Sequence, residues 1–261
     1  MRRKANPKHP PGSPAWWAGR TASVKNPVAP GVGRPPVPLE RLLATATELI
    51  DQTGPASLSL RHLAERLGSG TATIYRHFAS KDEILACVVD RVLGEVELDA
   101  PQMVKMDWRQ ALMHGAEALY KVLQSHPGVV PLLTSQIPIG PNALAHREKA
   151  LAFLLASGFS AQFAARGYSA IMHYVFGFAS QLTTPFLSPT RGADLRNFYE
   201  RLDRSAFPAT VSVADHLPMI SDDEEFHFGL GLIVEGLARD RDRLSLRSSA
   251  HAKRRVVAAS A

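Results

Sequence analysis

The sequence contains one cysteine, Cys87, and no apolar run long enough to cross a membrane. A single cysteine excludes a framework of intrachain disulfides and fits a reducing compartment, so we expect a cytoplasmic protein. Its apolar neighbours favour a buried small residue over a redox-sensing thiol. Residues 1–37 lack the apolar stretch of a secretory signal. No segment alternates apolar and polar residues as a half-buried strand does, which predicts an all-α fold.

Sequence signatures of catalysis and of metal or nucleotide binding are also missing. The chain has no HExxH, no GxSxG and no phosphate-binding GxxxxGKS/T segment. Gly229 and Gly231 lie within a predicted helix and do not follow a strand, as a dinucleotide site would require. The ten histidines show no spacing typical of metal ligands. We therefore predict that the protein is not an enzyme and that it needs no cofactor and no metal.

Positive charge is concentrated at the two ends of the chain. Residues 1–37 contain seven lysines and arginines and no acidic residue, and residues 239–261 contain seven against two. Residues 82–238 carry eleven basic residues against eighteen acidic ones. The basic N-terminal end therefore fits a polyanion such as nucleic acid, whereas the acidic middle of the chain does not.

The two ends are predicted to be disordered, residues 1–37 as a basic, proline-rich arm and residues 244–261 as a basic tail. The arm shows no periodic apolar pattern. Its basic residues can add phosphate contacts beside a docked DNA-binding unit. They are Arg2, Arg3, Lys4, Lys8, Arg20, Lys25 and Arg34. A solvated tail, lengthened by a misassigned start codon, explains the same composition, and both interpretations remain open.

Apolar residues at helical spacing predict helices along most of the remaining chain. The predicted helices cover residues 39–50, 80–98, 107–124, 142–157, 161–182 and 222–239, with a possible one at 194–206. Ser80 and Glu83 are spaced as a capping box at the start of the second of these. Prolines between residues 126 and 141 permit only short helical pieces there, and residues 183–221 are predicted to form a long connection.

Residues Ser59 to Lys81 predict two short helices joined by a glycine turn. In the first helix, apolar residues recur at three- and four-residue steps: Leu60, Leu63, Ala64 and Leu67. Gly68 and Gly70 flank the turn, because glycine permits the positive φ that a tight turn needs. The second helix, 71–78, has two apolar residues four apart and is otherwise polar and basic. This pattern predicts a helix-turn-helix that reads the DNA major groove, with an ordinary helical hairpin as the alternative.

The run LAERLG…TIYRHFASKDEIL resembles the DNA-binding segment of the TetR family of transcriptional regulators. Helix, glycine, spacer, the aromatic-x-His-Phe ending and a Ser/Lys-led next helix follow the family's order. Three later segments resemble the ligand-binding domain of the tetracycline repressor branch. They are LAFLLASGFS at 151–160, a helix containing His173, and FHFGLGLIVEGL at 226–237. The resemblance covers about residues 38–240 and leaves both ends unexplained.

By matching position, the resemblance assigns roles within the helix-turn-helix. Thr71, Ala72 and Thr73 would face bases. Tyr75, His77 and Lys81 would hold phosphates, and Arg61 on the preceding helix would reach the groove. The implied domains are a DNA-binding domain at 38–84 and a ligand-binding and dimerisation domain at 85–243.

The resemblance also implies an effector cavity. Residues from the segments that surround it in this branch are Trp108, Leu112, Leu119, Leu132, Gln136, His173 and Phe176. Each of them fits an ordinary core position equally well. In tetracycline-binding relatives, a histidine after the helix at 107–124 holds the drug-chelated metal, and the corresponding stretch 129–133 has none. We therefore expect a small, largely apolar effector that binds without a metal.

The resemblance also implies that the last predicted helix forms the dimer interface, together with the helix at 161–182. Its candidate interface residues are Phe226, Leu230, Gly231, Ile233 and Leu237. A homodimer suits a palindromic operator. The sequence thus predicts a ligand-responsive DNA-binding regulator, a repressor released from double-stranded DNA by its effector. The alternative is an all-α ligand-binding or scaffolding protein that does not read DNA.

Overall fold

The computed structural model describes residues 9–24, 37–98, 106–183, 191–218 and 221–259, without side chains at 21–24, 182–183, 191 and 242–259. These residues form helices and connections and contain no strand, which confirms the all-α prediction. The helices are α1 (Pro14–Val24), α2 (Leu39–Thr53), α3 (Leu60–Arg66), α4 (Thr71–His77), α5 (Lys81–Leu93), α6 (Trp108–Ser125), α7 (Val130–Ser135), α8 (Pro141–Ala156), α9 (Ala161–Ala179), α10 (Arg191–Glu200), α11 (Pro208–Ser212) and α12 (Asp222–Ala259). Short 3-10 helices lie at Pro127–Val129 and Ser180–Thr183.

Two helices end away from their predicted limits. α5 stops at Leu93, before Gly94, where a Cβ would lie 2.6 Å from the Asn142 side chain. α12 continues to Ala259, through the segment predicted to be a disordered tail, and that prediction is wrong for residues 244–259. No glycine or proline follows Gly236, and the alanines, arginines and leucines of this segment are good helix formers.

The described chain forms two compact units. One comprises the described residues up to 158 together with 175–183, and the other comprises residues 159–174 together with the described residues from 191 onward. α5 runs continuously across the predicted domain limit between residues 84 and 85. The predicted DNA-binding segment and the first helices after it therefore share one unit.

A single apolar core joins α2 to α5 in the first unit. α2 contacts both α3 and α5, and its inner face is buried. The fully buried side chains of this core include Leu42, Ile50, Leu63, Ile74, Phe78, Ile84 and Val88. Each contributes about 1.5–3 kcal/mol by leaving water, so these four helices are stable only together. Cys87 is buried, as the sequence predicts.

The buried carboxylate of Asp90 attaches α8 to α5. Its Oδ1 accepts hydrogen bonds from the backbone N–H groups of Asn142 and Ala143, each at 3.1 Å, so Asp90 caps the first turn of α8. Burial raises the pKa of Asp90, whereas these N–H groups favour its ionised form. A Cβ at Gly140 would overlap the same carboxylate, which explains the glycine before α8.

A charged junction connects the end of α2 to the segment after α6. His126 Nδ1 lies 2.7 Å from Asp51 Oδ2, and its Nε2 lies 2.8 Å from Glu95 Oε2. Asp51 also accepts a hydrogen bond from Gly128 N–H at 3.1 Å. Arg91 pairs with Glu40 on α2 at 2.7 Å and with Glu95. His126 thus joins the helix that supports the predicted DNA-binding unit to the segment that follows α6.

This junction makes stability depend on pH. The hydrogen bond to Asp51 raises the pKa of His126, Glu95 acts in the same direction, and partial burial opposes them. Because the folded pKa lies above the unfolded one, the stabilisation is complete below the unfolded pKa and is lost as pH rises through the folded pKa. We expect His126→Gln to lower the free energy of unfolding by about 1 kcal/mol near pH 6 and by less near pH 9.

Urea denaturation at both pH values measures the difference. His114→Gln, a substitution of a half-buried histidine on α6, is the matched control for the loss of an imidazole outside this junction. An equal loss at the two pH values for His126→Gln would show that the imidazolium charge does not contribute.

Candidate nucleic-acid interface

The turn between α3 and α4 depends on one glycine. Ser59 caps α3, since its hydroxyl accepts a hydrogen bond from His62 N–H at 3.1 Å. After α3, Gly68 has φ +59°, in the left-handed region that favours glycine. Leu67, just before it, is buried. The chain therefore changes direction at Gly68 while Leu67 holds the end of α3 in the core, and α4 begins at a defined angle to α3.

The orientation of α4 about its own axis is set by two buried side chains. Ile74 and Phe78 have no exposed surface. Because they lie one turn apart, they hold one side of α4 against the core and leave the other in solvent. Thr71 and Ala72 are exposed and Thr73 is half-buried. The three residues predicted to face bases therefore lie at the accessible N-terminal end of α4.

Arg76 is a candidate that the sequence reasoning missed. Its side chain is exposed, and Nη2 donates a hydrogen bond to Thr73 Oγ1 at 3.2 Å. It therefore shares the accessible side of α4 with Thr73. The signal was present in the sequence, because an arginine three residues after a predicted base-facing residue lies one turn away on the same face of a helix.

The residues predicted to hold phosphates also support neighbouring segments. His77 Nε2 lies 3.1 Å from the Val37 carbonyl, next to the start of α2. Lys81 Nζ donates to the Ala56 carbonyl at 2.7 Å. Arg61 is exposed and pairs with Glu65 at 2.9 Å, and Tyr75 is half-buried. Their contacts with phosphates remain predictions.

The junction between α4 and α5 is built around Glu83. Ser80 caps α5, as predicted, by accepting a hydrogen bond from Glu83 N–H at 3.3 Å. The Glu83 carboxylate accepts from Ala79 N–H at 3.0 Å, one residue before the cap. It also accepts from Trp16 Nε1–H at 3.3 Å. A nearly buried carboxylate thus has donors from both α1 and the end of α4.

Helix α1 corrects the prediction that residues 1–37 are disordered. Residues 14–24 are helical, and Trp16 is buried. The Arg20 guanidinium carbon lies 4.6 Å from the centre of the Phe78 ring. The remaining arm residues 1–8 and 25–36 lie outside the described part of the chain. Ser13 and Pro14 are typical of a helix start, and the two tryptophans supply its apolar contact.

The predicted effector residues do not share one environment. On α6, Trp108, Leu112 and Leu119 are buried. Leu132, Gln136 and Phe176 are half-buried, and His173 is exposed. On α9, the buried positions near His173 include Ile171, Val175, Phe178 and Ala179, and His173 points away from them because of the helical period. The apolar surroundings of His173 in the sequence therefore did not indicate burial.

Gln136 lines a small cavity, partly open to solvent, between α1, α5 and the segment 136–140. The other six predicted effector residues do not line it. Among the described residues, no group of three or more His, Cys, Asp or Glu side chains is arranged to hold a metal ion. No helix in the described part of the chain is long and apolar enough to span a membrane.

The candidate interface residues of α12 fall on two sides of that helix. Phe226 and Leu230 are fully buried, with the Phe226 ring 5.5 Å from that of Tyr174 on α9. Leu237 lies against Gly167 of α9. Gly231 and Ile233 are half-buried. Two apolar residues that the sequence reasoning did not select, Phe228 and Leu232, are 70% and 61% exposed.

Two family profiles match the chain. Residues 42–88 match the family described as bacterial regulatory proteins, tetR family. Residues 100–241 match the tetracyclin repressor-like C-terminal domain. The first match contains the α3–turn–α4 arrangement, and the second contains α6 to α9 and the part of α12 that carries the exposed apolar residues.

Individual relatives agree with these matches. An HTH-type transcriptional regulator of Saccharopolyspora erythraea is 31% identical over 210 residues, which cover 78% of this chain and 86% of that protein. An HTH-type transcriptional repressor of Mycobacterium tuberculosis is 27% identical over 84% of this chain and 87% of that one. The crystal structure of the TetR family protein ActR of Streptomyces coelicolor, in complex with actinorhodin, superposes with a TM-score of 0.69. It is 26% identical, covering 79% of this chain and 99% of ActR.

Proposed function

The chain belongs to the TetR family of ligand-responsive, DNA-binding transcriptional regulators, and we propose that it is a homodimeric repressor released from a palindromic operator by a small, largely apolar effector. The observation that carries the proposal is the orientation of α4. Ile74 and Phe78 are buried, and the polar N-terminal side of this helix stays accessible. A repressor of this kind acts in the cytoplasm, where bacterial DNA lies.

The recognition helix in this proposal is α4, entering the major groove with its first turn leading. Thr71, Ala72 and Thr73 contact base edges there. Arg76 joins them, because a guanidinium can donate two hydrogen bonds to the O6 and N7 atoms of guanine. In the free protein it donates instead to Thr73 Oγ1, so binding exchanges one partner for another.

Contacts to the DNA backbone come from Tyr75, His77 and Lys81, with Arg61 reaching toward the groove. The bond from Lys81 to the Ala56 carbonyl uses one of three ammonium donors and leaves others for a phosphate. The His77 contact with Val37 holds the start of α2 close to α4. These residues would therefore place the helix on the duplex without selecting its sequence.

Replacing base-facing and backbone-facing residues should have different effects. We expect Thr73→Ala and Arg76→Ala each to weaken binding to the preferred operator by about 1–3 kcal/mol and to relax its sequence preference. Lys81→Gln should weaken binding to all sequences alike and reduce the salt slope by about 1. Gel retardation over a range of salt concentrations, with an operator selected from random duplexes by the parent protein, measures both quantities.

Glu48→Gln is a control, since it changes an exposed charge on α2 outside the proposed contacts. If Lys81→Gln altered sequence preference but not the salt slope, the assignment of backbone contacts would be wrong. A parent protein that retains no duplex at low salt would favour the alternative, a ligand-binding or scaffolding protein that does not read DNA.

The proposed dimer pairs α9 and α12 with the same helices of a second copy. On α12, Phe228, Leu232 and Gly236 are exposed at four-residue steps. On α9, an exposed strip contains Ala165, Ser169 and His173. The side chains of Ala165 and Ser169 are small enough for another helix to approach closely. Two-fold pairing of such faces places two recognition helices on successive major grooves of a palindrome.

This arrangement moves the expected interface to the exposed side of α12. Phe226 and Leu230 already lie in the interior of one protomer, so they support the helix from beneath. Gly231, Ile233 and Leu237 lie at the edges of the exposed side. His173 belongs to this interface in the proposal, and its predicted role in orienting the effector becomes the weaker assignment.

We expect Leu232→Asp to give a folded monomer, because it places a charge in an apolar contact between copies. Sedimentation equilibrium measures the mass, and circular dichroism checks the helical content. Leu144→Asp is the matched control, since Leu144 on α8 is also exposed, at 47%, and its substitution should leave a dimer. A Leu232→Asp protein with the mass of a dimer would exclude this side of α12.

The effector in this proposal is largely apolar. Support comes from the buried apolar face of α6, which carries Trp108, Leu112 and Leu119. Leu132, Gln136 and Phe176 are half-buried, and Gln136 offers a polar group to orient a ligand. The related protein ActR has been solved with actinorhodin, which makes that compound a reasonable probe.

We expect actinorhodin to release operator DNA more effectively than tetracycline, and a chelator to leave that release unchanged. The reason is that the stretch 129–133 contains no histidine to hold a drug-bound metal. Fluorescence anisotropy of labelled operator, titrated with each compound with and without magnesium, provides the measurement. Release by tetracycline that requires magnesium would overturn the metal-free assignment.

A further inference from the structure

We propose that helix α1 is an intramolecular strap that positions the recognition helix and connects it to the segment 136–140. The inference rests on the proposed reading of DNA by α4 and goes beyond it, because it assigns positioning roles to Trp16 and Arg20. Neither residue needs to touch DNA. Both act through Phe78 and Glu83, the two residues on which the end of α4 and the start of α5 depend.

The contacts of α1 converge on the junction between α4 and α5. Trp16 is 9% exposed, and its indole N–H donates to Glu83 Oε1 at 3.3 Å. The Arg20 guanidinium carbon lies 4.6 Å from the Phe78 ring centre and 5.3 Å from the Trp16 ring centre. These are distances at which a cation is attracted to an aromatic face. Phe78 is fully buried and ends α4, so α1 covers the residue that anchors the recognition helix.

Charge strengthens the same attachment. Arg20 Nη1 lies 3.9 Å from Glu83 Oε2, and both side chains are almost buried. Glu83 in turn accepts the Ala79 N–H, which fixes the backbone between α4 and α5. A buried carboxylate is stable only with donors and opposite charge around it, and α1 supplies both. Arg20 is therefore committed to the interior of the protein and is not part of the phosphate-binding arm.

The other end of the strap reaches the segment that precedes α8. A Cβ at Gly12 would lie 2.5 Å from Gln136 Oε1, so these two residues are already in close contact. Trp17 lines the small cavity together with Ala86 on α5 and Ile137. The chain from Gly12 to Arg20 thus spans from segment 136–140 to the end of α4. A displacement of Gln136 would reach α4 through α1 as well as through α5.

A strap and a phosphate-binding arm predict different measurements. Loss of a phosphate contact weakens binding and lowers the salt slope by about 1, because one fewer counterion is released. Loss of a positioning contact weakens binding with an unchanged slope, because the number of phosphates neutralised stays the same. Loss of positioning also loosens α4 in the absence of DNA, which the loss of a phosphate contact does not.

The test uses the full-length protein and the operator selected by the parent. We expect Arg20→Gln and Trp16→Ala each to weaken operator binding about three- to thirtyfold at a fixed salt concentration, with the salt slope unchanged. Lys8→Gln is the matched control, since it removes the same charge from the N-terminal arm outside α1. Trp16→Phe keeps an aromatic ring, loses the donor to Glu83, and should show a smaller effect.

Hydrogen exchange without DNA supplies the second readout. In Arg20→Gln and Trp16→Phe, the amides of Ile74 to Phe78 should exchange several-fold faster, while those of α6 keep the rates of the parent. Unchanged hydrogen-exchange rates of the α4 amides in these variants would contradict the proposed role of α1. A second outcome would also contradict the proposal. If Arg20→Gln reduced the salt slope by about 1 while Trp16→Ala bound normally, Arg20 would be a phosphate contact. If the parent failed to bind DNA, the exchange measurement would still decide the role of α1.

Discussion

The burial of Ile74 and Phe78 is the constraint on which the proposed DNA-binding surface depends. These side chains are one helical turn apart, so together they define which side of a seven-residue helix is inside. An isolated helix of this length is unstable in water, because its few hydrogen bonds do not offset the cost of ordering the backbone. α4 therefore exists only as part of the core that α2, α3 and α5 complete, and its exposed residues have a defined direction only for the same reason.

Around this core, polar contacts at the ends of helices connect the DNA-binding segment to the rest of the first unit. Asp90 caps α8, and His126 joins Asp51 on α2 to Glu95 beyond α5. Trp16 and Arg20 add a third connection through Glu83. Each of these contacts holds one helix against a neighbouring segment of the first unit. In the proposed function, coupling between an effector and α4 would have several routes through α5 and the elements packed against it.

Sequence reasoning located the long helices well, because repeated apolar residues are a local and redundant signal. It failed where the decisive contact is remote in the chain. Trp16 and Glu83 are 67 residues apart, so composition alone suggested a disordered arm. On α12, an almost continuous apolar run did not reveal which residues face inward. Phe226 and Leu230 are buried and Phe228 and Leu232 are exposed because α12 packs on Tyr174 and Gly167 of α9.

The sequence alone determined the family, the all-α class and the position of helix α4, since these depend on residue type and on spacing within a few turns. Tertiary structure decided which side of each helix is accessible, that Glu83 and Asp90 are buried with donors, and that α1 is ordered. Those outcomes depend on the free energy of contacts between segments far apart in sequence. A local pattern cannot specify such contacts, because the same residues fit either a solvated or a buried position until their partners are in place.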